Sequence, residues 1–136
     1  MRECLLDTDI LSYYLKGNEK VIKKVEDYLF SGEYFRLTIS EITCFEILAG
    51  LEYRNATKQV RVFESFMKKC NIATLSKRSI KISAQVYGKL RQKGIILGTP
   101  DLLIAGIAME NDYILVTNNE KHFQEIDGQT ISNWTN

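Results

Sequence analysis

CLLDTDIL, residues 4–11, is a short apolar run broken by two carboxylates, Asp7 and Asp9. The first half reads as a buried strand over residues 3–7. Ile10 and Leu11 then resume the apolar pattern as a short helix over residues 9–15, which Gly17 ends. A carboxylate at the end of a strand that belongs in a core costs free energy unless positive charge or hydrogen-bond donors meet it. What meets Asp7 and Asp9 is therefore the question that the rest of the chain must answer.

Working outward, Asn18 can cap a helix over residues 19–30, where Val21, Ile22, Val25, Tyr28 and Leu29 recur at helical spacing and Ser31-Gly32 gives the stop. Residues 34–39 (YFRLTI) are rich in strand formers, and Ser40 then opens a helix to about residue 54. After the polar break Asn55-Ala56-Thr57 comes another helix to about residue 69, then a short strand over 71–75. Ser76 opens a long helix that Gly94 stops. Thr99-Pro100 predicts a helix start with Thr99 as the capping hydroxyl and proline at the first position, running to about Glu110. Residues 113–117 (YILVT) form a strand, and Ile131 lies in a last one. Strands alternating with helices predict an α/β fold with a mainly parallel sheet between helices on both faces. In such sheets ligands gather outside the carboxyl ends of strands. Asp7 and Asn118-Asn119 both stand at such ends.

The chain has 136 residues, 45% of them apolar, enough for one domain (1–136) with a real core. No apolar run is long enough to span a membrane and the N-terminus lacks signal-peptide features, so a cytoplasmic protein is expected. Cys4, Cys44 and Cys70 are odd in number and far apart, which predicts reduced core thiols. A single histidine, His122, excludes two-histidine ribonuclease chemistry and multi-histidine metal sites. No nucleotide-binding glycine loop is present. The net charge of +1 hides an asymmetry. Residues 54–93 carry eleven Lys or Arg against Glu64 alone, a net +10, and the remainder of the chain is −9. That pattern points either to a polyanion partner, with Lys77, Arg78 and Lys81 as candidate RNA contacts, or to the solvated faces of two helices.

Two further acids sit in apolar company. Glu46 lies within ITCFEILAG (42–50), with Ile42, Thr43, Ala49 and Gly50 at helical neighbour positions. Asp101 opens PDLLIAGIA (100–108) and shares a face with Ile104, Ala105 and Ala108. Singly, each has a structural explanation. Asp101 in a first helical turn gains roughly 0.3–1 kcal/mol from the helix dipole. Glu46 can meet a Lys or Arg, or lie on an exposed face. Asp7 or Asp9 can cap the following helix. One cause covers all three: a divalent cation such as Mg²⁺ or Mn²⁺ prefers carboxylate oxygens and supplies the charge that makes their burial tolerable. Such a site can acidify a bound water and steady charge on a phosphoryl oxygen. Beside a basic segment, the natural substrate is a nucleic-acid phosphodiester.

At this point four motifs are familiar together. LLDTDIL (5–11), SEITCFEILAG (40–50), GTPDLLIAGIA (98–108) and LVTNNEKHF (115–123), with a closing ISNW (131–134), resemble in order and separation the PIN-domain ribonucleases, specifically the VapC-type toxins of toxin–antitoxin pairs. The resemblance covers nearly the whole chain. It implies a PIN fold and a Mg²⁺- or Mn²⁺-dependent endoribonuclease, with Asp7 and Asp101 as metal ligands and Glu46 binding metal or orienting the attacking water. It also implies a homodimer and an antitoxin whose C-terminal segment lies along the toxin groove with a basic side chain among the acids. Two positions depart from the pattern. Asp9 stands where Asn is frequent, and adds charge. Asn119 stands where many PIN nucleases have a fourth acid, flanked here by Thr117, Asn118 and Glu120 as accessory candidates; an amide can hold water or phosphate by hydrogen bonds but brings no charge. Two other readings remain at this stage. One is a PIN fold that binds RNA or a partner without catalysis. The other is a haloacid-dehalogenase-like phosphatase, suggested by DTD and ILVT but lacking the expected residue at Leu11 and an acidic pair after Thr117.

Overall fold

The computed structural model describes residues 2–136. Five parallel strands form one sheet: β1 (Cys4–Leu6), β2 (Thr38–Ser40), β3 (Asn71–Ala73), β4 (Ile114–Val116) and β5 (Ile131–Ser132), in the order β3-β2-β1-β4-β5. Every pairing is parallel, with Leu6 opposite Ile39 on one side and Val116 on the other. Seven helices connect them: α1 (Thr8–Leu15), α2 (Glu19–Phe30), α3 (Glu41–Tyr53), α4 (Thr57–Met67), α5 (Lys77–Gln92), α6 (Thr99–Glu110) and α7 (Glu120–Phe123). The α/β expectation holds, and the sheet is parallel throughout. Among the described residues no helix is long and apolar enough to cross a membrane.

The strand order explains why the sheet is covered on both faces. From β1 the chain steps to β2 and β3, then jumps back past β1 to β4 and β5. Parallel crossovers are right-handed, so reversing the direction of travel moves the connecting helices to the other face. Two cores result. Cys4, Leu6, Ile39 and Val116 pack with residues of α1 to α4, including Ile10, Val25 and Phe63, and with Trp134 near the chain's end. Leu5 and Leu115 pack with α5, α6 and α7 through Leu90, Ile104, Ile107 and Phe123. Alternate residues of each strand point to opposite faces. With both faces buried, CLL and ILV are continuously apolar.

The strands are shorter than the sequence pattern suggests. Residues 34–37 stand outside β2, and Asp7 and Thr117 lie just beyond the ladders of β1 and β4. Three helix starts match capping chemistry: Asn18 accepts from Val21 N–H, Ser40 from Thr43 N–H, and Ser76 forms a reciprocal pair with Ser79. The start of α6 is a correction. Gly98, not Thr99, is the cap residue, and Thr99-Pro100 are already helical. The first turn then rests on the proline rather than on a capping hydroxyl, because proline's fixed φ suits it and its missing N–H needs no partner there. The four-residue α7 follows β4 without an anticipated signal. Cys4, Cys44 and Cys70 are all buried and unpaired, and burial raises the Cys4 and Cys70 thiols to about 11.

The closest helix contact is α5 against α6, where Gly106 faces Ser79 and Ser83 and the Ser83 hydroxyl donates to the Leu102 carbonyl at 2.7 Å. A Cβ at position 106 would collide with Ser83 Oγ and the Ser79 carbonyl. Gly106→Ala should therefore destabilise the fold by about 1–3 kcal/mol in urea unfolding. Adding Ser83→Ala should recover only part of the loss, because the Ser79 carbonyl is backbone.

Candidate active site

The site lies at the carboxyl edge of the sheet where the strand order reverses, between β1 and β4, the usual crevice in open parallel sheets. Asp7 leaves β1 and becomes the N-cap of α1. Its N–H donates to the Val116 carbonyl at 3.0 Å, and its Oδ1 accepts from Ile10 N–H at 2.9 Å. The capping explanation is thus realised in part, by Asp7 and not by Asp9, which is exposed. Capping does not neutralise Asp7. It is only 4% exposed, and burial pushes its carboxyl up to about 6, opposed by the Thr117 hydroxyl and the Ile10 N–H and reinforced by the charges of Asp9 and Asp101.

Asp101 occupies the first turn of α6 and is half-buried. Its pKa is also raised to about 6, by burial first, then by Glu46 and Asp9, with His122 pulling the other way. The helix dipole alone would lower it, so burial among like charges wins. Glu46 sits in the second turn of α3, half-buried, and its Oε1 accepts from the Thr8 hydroxyl at 2.6 Å. Among the described residues no Lys or Arg pairs with Asp7, Glu46 or Asp101; the ion pairs there are Arg2–Asp112 and Lys23–Asp27. The salt-bridge explanation of Glu46 therefore fails.

The loop after β4 supplies the other side. Thr117 is fully buried, and its Oγ1 accepts from Asn119 N–H at 3.0 Å. Asn119 is the cap residue of α7, yet its side chain makes no capping bond. Asn118 and Glu120 are engaged by the C-terminal segment. Asn118 Oδ1 accepts from Asn133 Nδ2 at 3.3 Å and Thr135 Oγ1 at 3.0 Å, while Glu120 Oε2 accepts from Asn133 Nδ2 at 3.1 Å. Lys77, Arg78 and Lys81 are exposed on the first turns of α5. Ser76, the cap of that helix, bonds Glu110 at the last turn of α6, about 14 Å along the helix from Asp101. The fold thus couples the acids to one another and holds these three cations at the other end of α6. Thr8, Thr43 and His122 are not among the site residues that the sequence suggests. Only the spacing Ser40-Thr43-Glu46, one face of a helix, offered a signal.

Beside Thr8 and Glu46 a groove of about 440 Å³ runs between α1, α3 and α4. Leu15, Ile47, Leu51 and Phe66 line it with Lys16 and Arg54.

Comparison with known proteins agrees with this architecture. The chain belongs to the PIN domain family, whose model matches residues 4–129. It is 28% identical over 135 residues to a tRNA(fMet)-specific endonuclease VapC of Salmonella typhimurium, covering 98% of this chain and 99% of the relative. It is 28% identical over 132 residues to a ribonuclease VapC1 of Haemophilus influenzae, covering 96% and 97%. Among solved structures, VapBC2 of Rickettsia felis bound to a DNA fragment from its promoter superposes with a TM-score of 0.85 at 28% identity, over 96% of this chain and 98% of that one. DNA-bound VapBC of Salmonella typhimurium gives 0.85 at 28%, over 98% and 99%. The phosphatase reading of DTD and ILVT falls with the family match.

PIN nucleases in general depend on a divalent metal ion. Among the described residues, no three acidic, thiol or imidazole groups converge tightly enough to enclose an ion as they stand. The donor chemistry nevertheless fits a hard cation: carboxylate oxygens, coupled like charges and no lysine or arginine of the described residues paired with Asp7, Glu46 or Asp101. The raised pKa values carry a stability consequence. Folded Asp7 holds its proton up to about pH 6, whereas the unfolded carboxyl releases it near 3.8. The cation-free fold therefore loses stability as pH rises from about 4 to 7, by about 3 kcal/mol at most from Asp7. Asp7→Asn keeps an acceptor for Ile10 N–H. In chelator at pH 7 it should unfold at higher urea than the parent, and at pH 4 the difference should vanish.

Proposed function

We infer that this chain is a VapC-type endoribonuclease, the toxin of a toxin–antitoxin pair, whose active site is Asp7, Glu46, Asp101 and Asn119 with a bound Mg²⁺ or Mn²⁺. The observation that carries the reading is the coupling of Asp7 and Asp101 with Asp9 and Glu46 at the carboxyl edge of the sheet, with no lysine or arginine of the described residues paired with Asp7, Glu46 or Asp101. Asp7 and Asp101 hold the cation, which supplies charge to a phosphoryl oxygen and acidifies water when bound. Glu46 orients the attacking water and accepts its proton. Asn119, with its amide free of a capping duty, hydrogen-bonds water or phosphate, and Thr117 fixes that loop by holding Asn119 N–H. Asp9 adds negative charge at the rim. Attack by water on phosphorus breaks the bond to the 3′ oxygen, which takes a proton from solvent, and leaves 5′-phosphate and 3′-hydroxyl ends.

The groove beside Glu46 supports the partner half of the reading. Its apolar floor suits an antitoxin segment, and a basic residue of that segment at the groove's acid end would replace the cation's charge. RNA is the substrate. The solved relatives are complexes of toxin with antitoxin, which is the precedent for the partner.

Purified protein without antitoxin, given total cellular RNA, should yield discrete fragments with Mg²⁺ or Mn²⁺ and none with EDTA. Asp7→Asn and Asp101→Asn should each lower the rate at least about a hundredfold, the scale of lost charge stabilisation at a reacting centre. Fragments ending in 2′,3′-cyclic phosphate would refute water as the nucleophile. Metal binding without any cleavage would favour a binding role for the fold instead.

A further inference from the structure

We propose that Thr8 is a positioning residue: its hydroxyl occupies one oxygen of Glu46, so that the carboxylate meets the cation or its water through the other oxygen alone. The proposal rests on the reading of Glu46 as part of a cation site. Four observations carry it. Thr8 Oγ1 lies 2.6 Å from Glu46 Oε1 and 2.9 Å from Thr43 Oγ1. Thr43 Oγ1 lies 3.4 Å from Ser40 Oγ, the cap of α3. Ser40 and Thr43 are fully buried, and Thr8 is half-buried at the lip of the groove. Glu46 Oε2 takes no hydrogen bond from the described residues.

The direction of this chain follows from proton counting. An ionised carboxylate only accepts, and a threonine hydroxyl has one proton. Thr8 must therefore donate to Glu46, which leaves its lone pairs for the Thr43 proton. Thr43 in turn accepts from Ser40. The relay runs one way, from the cap of α3 to the carboxylate two turns later, and Thr8 enters it from α1, next to Asp7 in the chain. It ties the α1 start to the α3 acid across two strands. That is how a metal-binding carboxylate is ordinarily fixed: a hydrogen bond on one oxygen orients the other, and loss of such a partner weakens metal affinity about 10–100-fold.

The test is Mn²⁺ affinity of the full chain, read from free Mn²⁺ by EPR, in Thr8→Val, Thr8→Ala and Thr8→Ser, alone and combined with Glu46→Gln. Thr8→Val and Thr8→Ala should bind Mn²⁺ about tenfold more weakly, and Thr8→Ser should stay within about twofold of the parent. In the Glu46→Gln background, Thr8→Val should add no further loss. Unchanged affinity in Thr8→Val, loss without rescue by serine, or full additivity with Glu46→Gln would each overturn the proposal. If Asp7→Asn and Asp101→Asn also bind Mn²⁺ like the parent, the cation site itself fails and the proposal with it, an outcome separate from a Thr8 effect that is simply absent.

Discussion

Everything in this structure is arranged around carboxylates that repel one another in partly desolvated surroundings. Asp7 is buried, Asp101 and Glu46 are half-buried, and no lysine or arginine of the described residues is paired with them. A structural salt-bridge cluster would neutralise the acids internally. Here the compensation is partial: the Ile10 N–H and the Thr117 hydroxyl for Asp7, the Thr8 hydroxyl for Glu46, and the charge of His122 on Asp101. The fold carries an electrostatic cost in the arrangement of these acids, and it is a cost that a hard divalent ion would remove.

Magnitudes show why helix ends do not suffice. Asp7 caps α1, Asp101 stands in the first turn of α6, and Glu46 follows one turn later in α3. Each helix N-terminus favours an anion by roughly 0.3–1 kcal/mol. Burial and like-charge coupling still raise Asp7 and Asp101 to about 6. At about 1.4 kcal/mol per unit, that shift exceeds what the dipoles give. The helix starts make the acids tolerable, and the reversal of strand order brings them to one crevice.

The surroundings divide the labour. On the α1–α3–α4 side, an apolar groove with Lys16 and Arg54 along it leads to Glu46. On the other side, α7 brings His122 near Asp101, and the segment from Asn133 to Thr135 holds Asn118 and Glu120. The basic segment over residues 54–93 is not a single surface beside the acids. Its α5 members at Lys77 and Arg78 stand at the remote end of α6, while Arg54 lies in the groove.

Local rules were sufficient for much of the molecule. The doubly buried strands CLL and ILV, the caps Asn18, Ser40 and Ser76, and the glycine stops all depend on residues close together in the chain, and their patterns show in the sequence. The three acids stood out because each carboxylate interrupts an apolar run, and four motifs in order marked the family. Strand ends were overestimated because a parallel ladder stops where its neighbour stops, which lies far away in sequence. The cap at Gly98 replaced Thr99 because proline settles the first turn whatever precedes it. Only the tertiary structure decided what surrounds each acid. Asp7, Glu46 and Asp101 belong to three connections that meet because β1 and β4 are neighbours, and the bond from Thr8 to Glu46 spans 38 residues. Likewise a count of charges between residues 54 and 93 cannot say which faces they occupy. Sequence specified the chemistry of each side chain, and packing specified its company, because burial and Coulomb coupling depend on distances that chain order does not contain.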